Sequence, residues 1–259
     1  MKVVILAGGY GTRISEESRF KPKPMVEIGG KPILWHIMKL YGHYGFNDFL
    51  ISAGYKQHVI KEYFADYFLH SSDVTFDFTG GKRDVIYHRS DTEPWKVTVV
   101  DTGLDTLTGG RVKRLKPYLD GERFFLTYGD GVSDVDISKL LEFHKSHGKL
   151  VTITGVNPGQ RYGTLEISGS GKVEAFREKA RGDGAFINGG FMVCESAIAD
   201  YIDGDMQMLE REPMERLARD GELMAYRHDG FWQPMDTVRE RECLEAMWAS
   251  GSAAWKVWE

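Results

Sequence analysis

The chain has 259 residues, of which 42% are hydrophobic and 27% charged, and its formal net charge is −5. This is ordinary globular composition, long enough for one large α/β domain and too acidic for a nucleic-acid coat or a binder of anionic membranes. No run approaches the roughly 18 apolar residues of a membrane span. Two widely spaced cysteines, Cys194 and Cys243, do not make a disulfide framework, and both are expected as buried thiols.

Val3 to Ala7 is a continuous apolar run that predicts a strand buried on both faces. Its apolar stretch is too short for a signal peptide and glycines follow at once, so a cytoplasmic protein is expected. Pro32 opens a helix with Ile33, Ile37, Leu40 and Tyr41 at helical spacing. Asp48 to Ser52 is the next strand, and Val59, Ile60, Tyr63, Phe64, Tyr67 and Phe68 mark the next helix. This β-α-β-α start predicts a Rossmann-like α/β fold with a mixed, mostly parallel sheet covered by helices on both faces.

Residues 74–101 contain three strand-like runs with no helix between them, and they are expected to form a small antiparallel β extension. A helix carrying Val112, Leu115 and Leu119 begins near Gly109. Phe124 to Thr127 is a second buried strand, ending in Tyr128-Gly129-Asp130-Gly131. Later strands are expected at 151–156, 162–167, 172–177, 191–194 and 223–228. A C-terminal helix and tail fill 237–259, within a single domain spanning 1–259.

The most informative stretch is Leu6-Ala7-Gly8-Gly9-Tyr10-Gly11-Thr12-Arg13. Glycines after a strand allow close backbone approach to a ligand and point N–H groups at phosphates. The dinucleotide fingerprint fails because Ile14 stands where its third glycine belongs, and the P-loop fails because the loop closes with Gly-Thr-Arg. Arg13 fits a bidentate phosphate contact. Ten residues on, Lys21-Pro22-Lys23-Pro24 presents Lys23 from backbone stiffened by proline on each side. Beside the glycine loop, that favours a phosphate-contacting lysine over a solvated turn.

Asp130 follows a buried strand, at the edge where open α/β sheets bind ligands, and Asp236 follows an aromatic-rich turn. Each acid also precedes a helix, so each also fits an N-cap.

These segments resemble the signature of the sugar nucleotidylyltransferases. The likeness extends through Glu27 to Met38, Thr127 to Val132, Ile187 to Phe191 and Gly230 to Thr237. The block around Trp35 and the ending Phe231-Trp232-Gln233-Pro234-Met235-Asp236 are similar to the glucose-1-phosphate cytidylyltransferase branch. The resemblance implies CTP and glucose 1-phosphate as substrates, CDP-glucose and pyrophosphate as products, and Mg²⁺ as cofactor. It also implies a homo-oligomer and a place in the synthesis of bacterial surface polysaccharide such as the lipopolysaccharide O-antigen.

For site residues, the resemblance implies that Asp130 and Asp236 hold the metal and that Arg13, Lys23 and Asp130 act in catalysis. Leu6, Ala7, Gly8, Gly9, Tyr10, Gly11, Thr12, Arg13, Lys23, Thr108, Gly109, Gly110, Arg111 and Gly129 would bind nucleotide. Arg161, Tyr162, Gly163, Glu178, Lys179, Asn188 and Gly189 would bind the sugar phosphate. Arg111 also fits a solvated helix residue. Two departures stand out: Ala180 replaces the proline of the family's Glu-Lys-Pro, and Tyr10 replaces a hydrophobic residue inside the glycine loop.

The attacking phosphate has a second pKa near 6, so no general base is required, and catalysis by positioning and charge neutralisation is expected. A metal-dependent glycosyltransferase is a rival reading, with Asp134-Val135-Asp136 and Asp203-Gly204-Asp205 as formal Asp-x-Asp pairs. A non-catalytic nucleotide-sugar-binding subunit is another. UTP, dTTP or GTP could replace CTP.

Overall fold

The computed structural model describes residues 1–12, 19–157, 164–167, 173–177 and 186–259. The chain opens with β1 (Val3–Ala7), the short strands β2 (Glu27–Ile28) and β3 (Lys31–Pro32), then α1 (Ile33–His43), β4 (Asp48–Ala53), α2 (Gln57–Ala65) and α3 (Tyr67–His70). β5 (Ser72–Asp77), β6 (Asp84–Ser90), β7 (Lys96–Asp101), α4 (Thr108–Arg114), β8 (Phe124–Tyr128), β9 (Gly131–Ser133) and α5 (Ile137–His147) follow. The remainder comprises β10 (Val151–Val156), β11 (Thr164–Ile167), β12 (Val173–Arg177), β13 (Ile187–Asn188), β14 (Met192–Cys194), α6 (Glu212–Arg219), β15 (Leu223–His228), β16 (Trp232–Pro234) and α7 (Val238–Ala249).

The central sheet runs β13-β10-β14-β8-β1-β4-β7, with β15 also paired to β10. β8, β1, β4 and β7 are mutually parallel, β14 turns antiparallel between β8 and β10, and β15 lies parallel to β10. All five residues of β1 are buried, as a strand covered on both faces requires. One face packs on α1 and the C-terminal tail, the other on α4 and α6.

The stretch 74–101 differs from expectation at its end. β5 and β6 pair antiparallel as a separate ribbon, whereas β7 pairs parallel with β4 and forms an edge of the main sheet. A period of two identifies a strand but not its partner. Cys194 is buried in β14, but Cys243 is exposed, because α7 turns Glu240 and Leu244 inward instead.

The tail and α1 close around His36, which is fully buried. The Trp255 indole N–H donates to His36 Nδ1 at 3.3 Å, so Nε2 carries the proton and donates to the Ile28 carbonyl at 2.8 Å. Trp248 meets the ring edge-on, with centroids 4.7 Å apart. Burial disfavours the imidazolium and lowers the His36 pKa from 6.5 to about 4.

The unfolded chain therefore takes up a proton near pH 6.5 that the folded chain refuses until about 4. The associated stability is complete above 6.5 and is lost as pH falls through that window. Urea unfolding at pH 7.5 and pH 5 should show a loss of about 2 kcal/mol from this residue. His36→Asn should reduce the pH dependence by that amount, and an unchanged slope would refute the assignment.

Candidate active site

Arg111 builds the floor. It lies on α4 and is only 4% exposed. Its Nη1 donates to Thr102 Oγ1 at 2.7 Å, the Gly103 carbonyl at 2.8 Å and the Ala53 carbonyl at 3.3 Å. Its Nη2 donates to the carbonyls of Gly8 at 3.0 Å and Leu104 at 3.1 Å. One guanidinium thus ties together the chain leaving β1, β4 and β7. A solvated residue is not what the structure contains. Gly8 must be glycine here, since a Cβ would lie 2.1 Å from Arg111 Nη1.

Above this floor lies a cavity of about 700 Å³, lined by Leu6 to Thr12, Lys23, Thr108, Gly129 and Asp130. Gly9 has open space around it, so its missing side chain is not explained by packing. Tyr10 reaches across and donates to Asp105 Oδ1 at 2.7 Å, and that carboxylate raises the tyrosine pKa. Gly109 and Gly110 are not on the wall. They pack against the backbone of residues 205–209, with room for no Cβ.

A second cavity of about 420 Å³ contains Asn188, Trp232 and Asp236 and shares Tyr128, Asp130 and Glu210 with the first. At this junction Lys23 Nζ bridges Asp130 Oδ2 at 2.6 Å and Asp236 Oδ1 at 2.5 Å. Lys23 sits in a 3₁₀ turn after Pro22 and is 7% exposed. A lone ammonium buried to that extent would cost several kcal/mol, and the two carboxylates offset this.

The acids meet although 106 residues separate them, because β16 pairs antiparallel with β9 and Met235 N–H donates to the Asp130 carbonyl at 2.8 Å. Neither acid is a helix cap. Asp130 runs into β9, Asp136 caps α5, and Thr237 caps α7 in a capping box with Glu240.

Among the described residues no cluster of three or more His, Cys, Asp or Glu side chains is arranged for a metal. Two carboxylates facing one cation nevertheless suit a hard ion that takes its other ligands from phosphate and water. The Asp-x-Asp pairs are otherwise engaged. Asp134 accepts from the Phe231 N–H at 2.7 Å, Asp136 accepts from the Lys139 N–H, and Asp205 pairs with Arg114.

On the second cavity, Asn188 Nδ2 donates to the Tyr128 hydroxyl at 3.3 Å, and that hydroxyl donates to Glu210 Oε1 at 2.8 Å. Glu210 Oε2 also accepts from Thr108 at 2.6 Å. Gly189 packs its Cα against Val156 and accepts from Trp232 Nε1 at 2.8 Å. Glu210, Tyr128, Asp105 and Trp232 were not singled out from sequence. Tyr128 and Trp232 lie inside recognisable motifs, whereas Glu210 and Asp105 carry no local signal. Arg13, Arg161, Tyr162, Gly163, Glu178, Lys179 and Ala180 lie outside the described residues.

The nucleotidyl transferase family pattern matches residues 2–233. The chain belongs to this family. It is 57% identical, over the full length of both proteins, to a Salmonella typhi glucose-1-phosphate cytidylyltransferase. A Salmonella typhimurium protein of the same name matches equally. Its fold is similar to HddC from Yersinia pseudotuberculosis in complex with GMP-PN (TM-score 0.69, 25% identity, 95% of this chain and 99% of that one). It is also similar in fold to a UDP-glucose pyrophosphorylase in complex with UDP-glucose (TM-score 0.66, 14% identity, 96% and 98% covered). As a family member, this chain is a nucleotidyltransferase. No helix among its described residues is long and apolar enough to cross a membrane.

Arg111→Met should leave the Gly8 and Leu104 carbonyls without their donor. A loss of about 2–4 kcal/mol in urea unfolding is expected, with weaker nucleotide binding. Parent-like stability in this variant would remove Arg111 from its structural role.

Proposed function

We infer that this chain transfers a cytidylyl group from CTP to α-D-glucose 1-phosphate, giving CDP-glucose and pyrophosphate. The observation that carries the reading is the convergence of Lys23, Asp130 and Asp236 where two cavities meet, in a chain 57% identical to a cytidylyltransferase. The larger cavity, beside the glycine loop, takes the nucleotide. The smaller, beside Asn188, takes the sugar phosphate.

A phosphate oxygen of glucose 1-phosphate attacks the α-phosphorus of CTP. The new P–O bond forms as the bond to the bridging oxygen breaks, and its electron pair leaves with pyrophosphate. The nucleophile is largely ionised at neutral pH, so no side chain needs to remove a proton. The chain's contribution is position and charge.

Lys23, held by two carboxylates in the free protein, turns to an oxygen of the reacting phosphate. Asp130 and Asp236 would hold Mg²⁺, which supplies positive charge against the phosphate oxygens. The backbone of Gly8 to Thr12 receives the triphosphate, with Arg13 against its outer phosphates. Tyr128, oriented by Glu210 and Asn188, forms the shared wall. By the family resemblance, Arg161, Tyr162, Gly163, Glu178, Lys179, Asn188 and Gly189 are assigned to binding the sugar phosphate. A homo-oligomer, a cytoplasmic location and a role in O-antigen synthesis belong to the same reading.

Pyrophosphate release should be measured with glucose 1-phosphate, Mg²⁺ and each of CTP, UTP, dTTP, GTP and ATP in turn. Release with CTP alone is expected. It should fall by about 100-fold or more in Lys23→Gln, Asp130→Asn and Asp236→Asn. Preference for another nucleotide would change the base assignment, and no release with any nucleotide would overturn the reaction.

A further inference from the structure

The nucleotide cavity has a fixed floor and an adjustable rim. At the floor, Gly8 and Arg111 are buried, and five hydrogen bonds hold the guanidinium. At the rim, Tyr10 and Asp105 are both exposed, and a single hydrogen bond of 2.7 Å joins them. The partners are 95 residues apart in sequence and stand on the two loops that wall the same cavity.

The glycine loop is held at its start through the Gly8 carbonyl, which accepts from Arg111 Nη2 and from the Tyr55 N–H at 3.2 Å. Gly8, Gly9 and Gly11 contribute no side chains, and Gly11 adopts a positive φ of 66°. Glycine loses more conformational freedom on ordering than any other residue. Tyr10 is the large side chain in this run. Its ring leans on Tyr55 at 5.4 Å between centroids while its hydroxyl reaches Asp105.

We propose that the Tyr10–Asp105 hydrogen bond is a clasp that pre-orders the glycine loop for the triphosphate and slows nucleotide escape. Tyr10 and Asp105 are positioning residues in this role. Neither carries out the phosphoryl chemistry, which is centred on Lys23, Asp130 and Asp236 at the cavity junction. The inference rests on the reading of this cavity as the nucleotide site. It does not depend on which base is bound.

Pre-ordering lowers the entropic cost of binding and leaves the reacting groups in place. The clasp therefore acts on nucleotide affinity and KM far more than on kcat. The hydrogen bond requires an acceptor at position 105, not a charge. Asn at that position can still accept from the tyrosine hydroxyl, whereas Ala cannot.

The test is a double-mutant cycle with Tyr10→Phe and Asp105→Ala, supplemented by Asp105→Asn. Tyr10→Phe keeps the ring and removes only the hydroxyl. Direct binding of the nucleotide is measured by calorimetry without sugar phosphate, and KM and kcat are measured by pyrophosphate release. The nucleotide is the one the parent protein prefers, so failure of the CTP assignment is detected separately in the parent.

Each single variant should weaken binding and raise KM about five- to tenfold, with kcat changed less than twofold. The double variant should be no worse than either single one, and Asp105→Asn should recover most of the loss. Multiplying effects in the double variant, unchanged binding in the single ones, or an Asp105→Asn protein as weak as Asp105→Ala would each overturn the proposal.

Discussion

The site depends on one buried guanidinium. Parallel strands end in carbonyls that the sheet no longer pairs, and those of an open α/β sheet end where the ligand must bind. Arg111 provides fixed donors for Gly8, Ala53, Gly103 and Leu104 at the ends of β1, β4 and β7. Its planar fork can reach several oxygens at once, which a lysine could not do. Because the donor is built in, the loops after three separate strands keep one relative position without a ligand. The cavity is pre-formed at its base, and order must be added only at its rim.

The proposed reacting centre is assembled by a different device. Asp130 follows the C-terminal end of β8, a central strand of the main sheet, whereas Asp236 arrives on a two-stranded ribbon whose other strand begins immediately after Asp130. A short antiparallel pairing therefore sets the spacing of two carboxylates from distant parts of the chain. Two like charges this close require a cation between them, and Lys23 supplies it. On the proposed reading, the same electrostatics that stabilises the free protein lets Lys23 exchange carboxylates for phosphate oxygens.

Local patterns in the sequence carry what is local in the structure. The buried run of β1, the glycines after it and the proline-flanked Lys23 are all set by neighbours within a few residues, so they were legible. Asp130 was legible because a strand leads directly to it. Tertiary pairing was not. The sequence of β7 announces a strand, but only the sheet shows that it lies beside β4 and not in the β5–β6 ribbon. Arg111 looks like any helical arginine until the five oxygens around it are brought together. Glu210 and Asp105 carry no motif, because their roles come from hydrogen bonds to Tyr128, Thr108 and Tyr10 across roughly 80 to 100 residues of chain. The N-cap reading of Asp236 failed for a local reason. Thr237 has Glu240 three residues on, and that pair forms a reciprocal capping box.

The two-cavity arrangement also accounts for a half-buried polar side chain at Tyr128. On the proposed reading, in-line transfer sets the attacking oxygen and the departing pyrophosphate on opposite sides of the α-phosphorus, so the wall between the cavities ends at the reacting atoms. Tyr128, Asp130 and Glu210 form that shared wall. A flexible wall would let the two substrates meet at variable angles. The Tyr128 hydroxyl is held by Glu210 on one side and Asn188 on the other, while Glu210 is itself anchored by Thr108 on the Arg111 helix. Desolvation, and then the Glu210 carboxylate beside it, push the Tyr128 pKa well up, so the hydroxyl remains a donor across the working range. The floor and the wall are thus joined through α4, and on the proposed reading the orientation of the reacting pair follows from the packing that holds the ends of β1, β4 and β7 together.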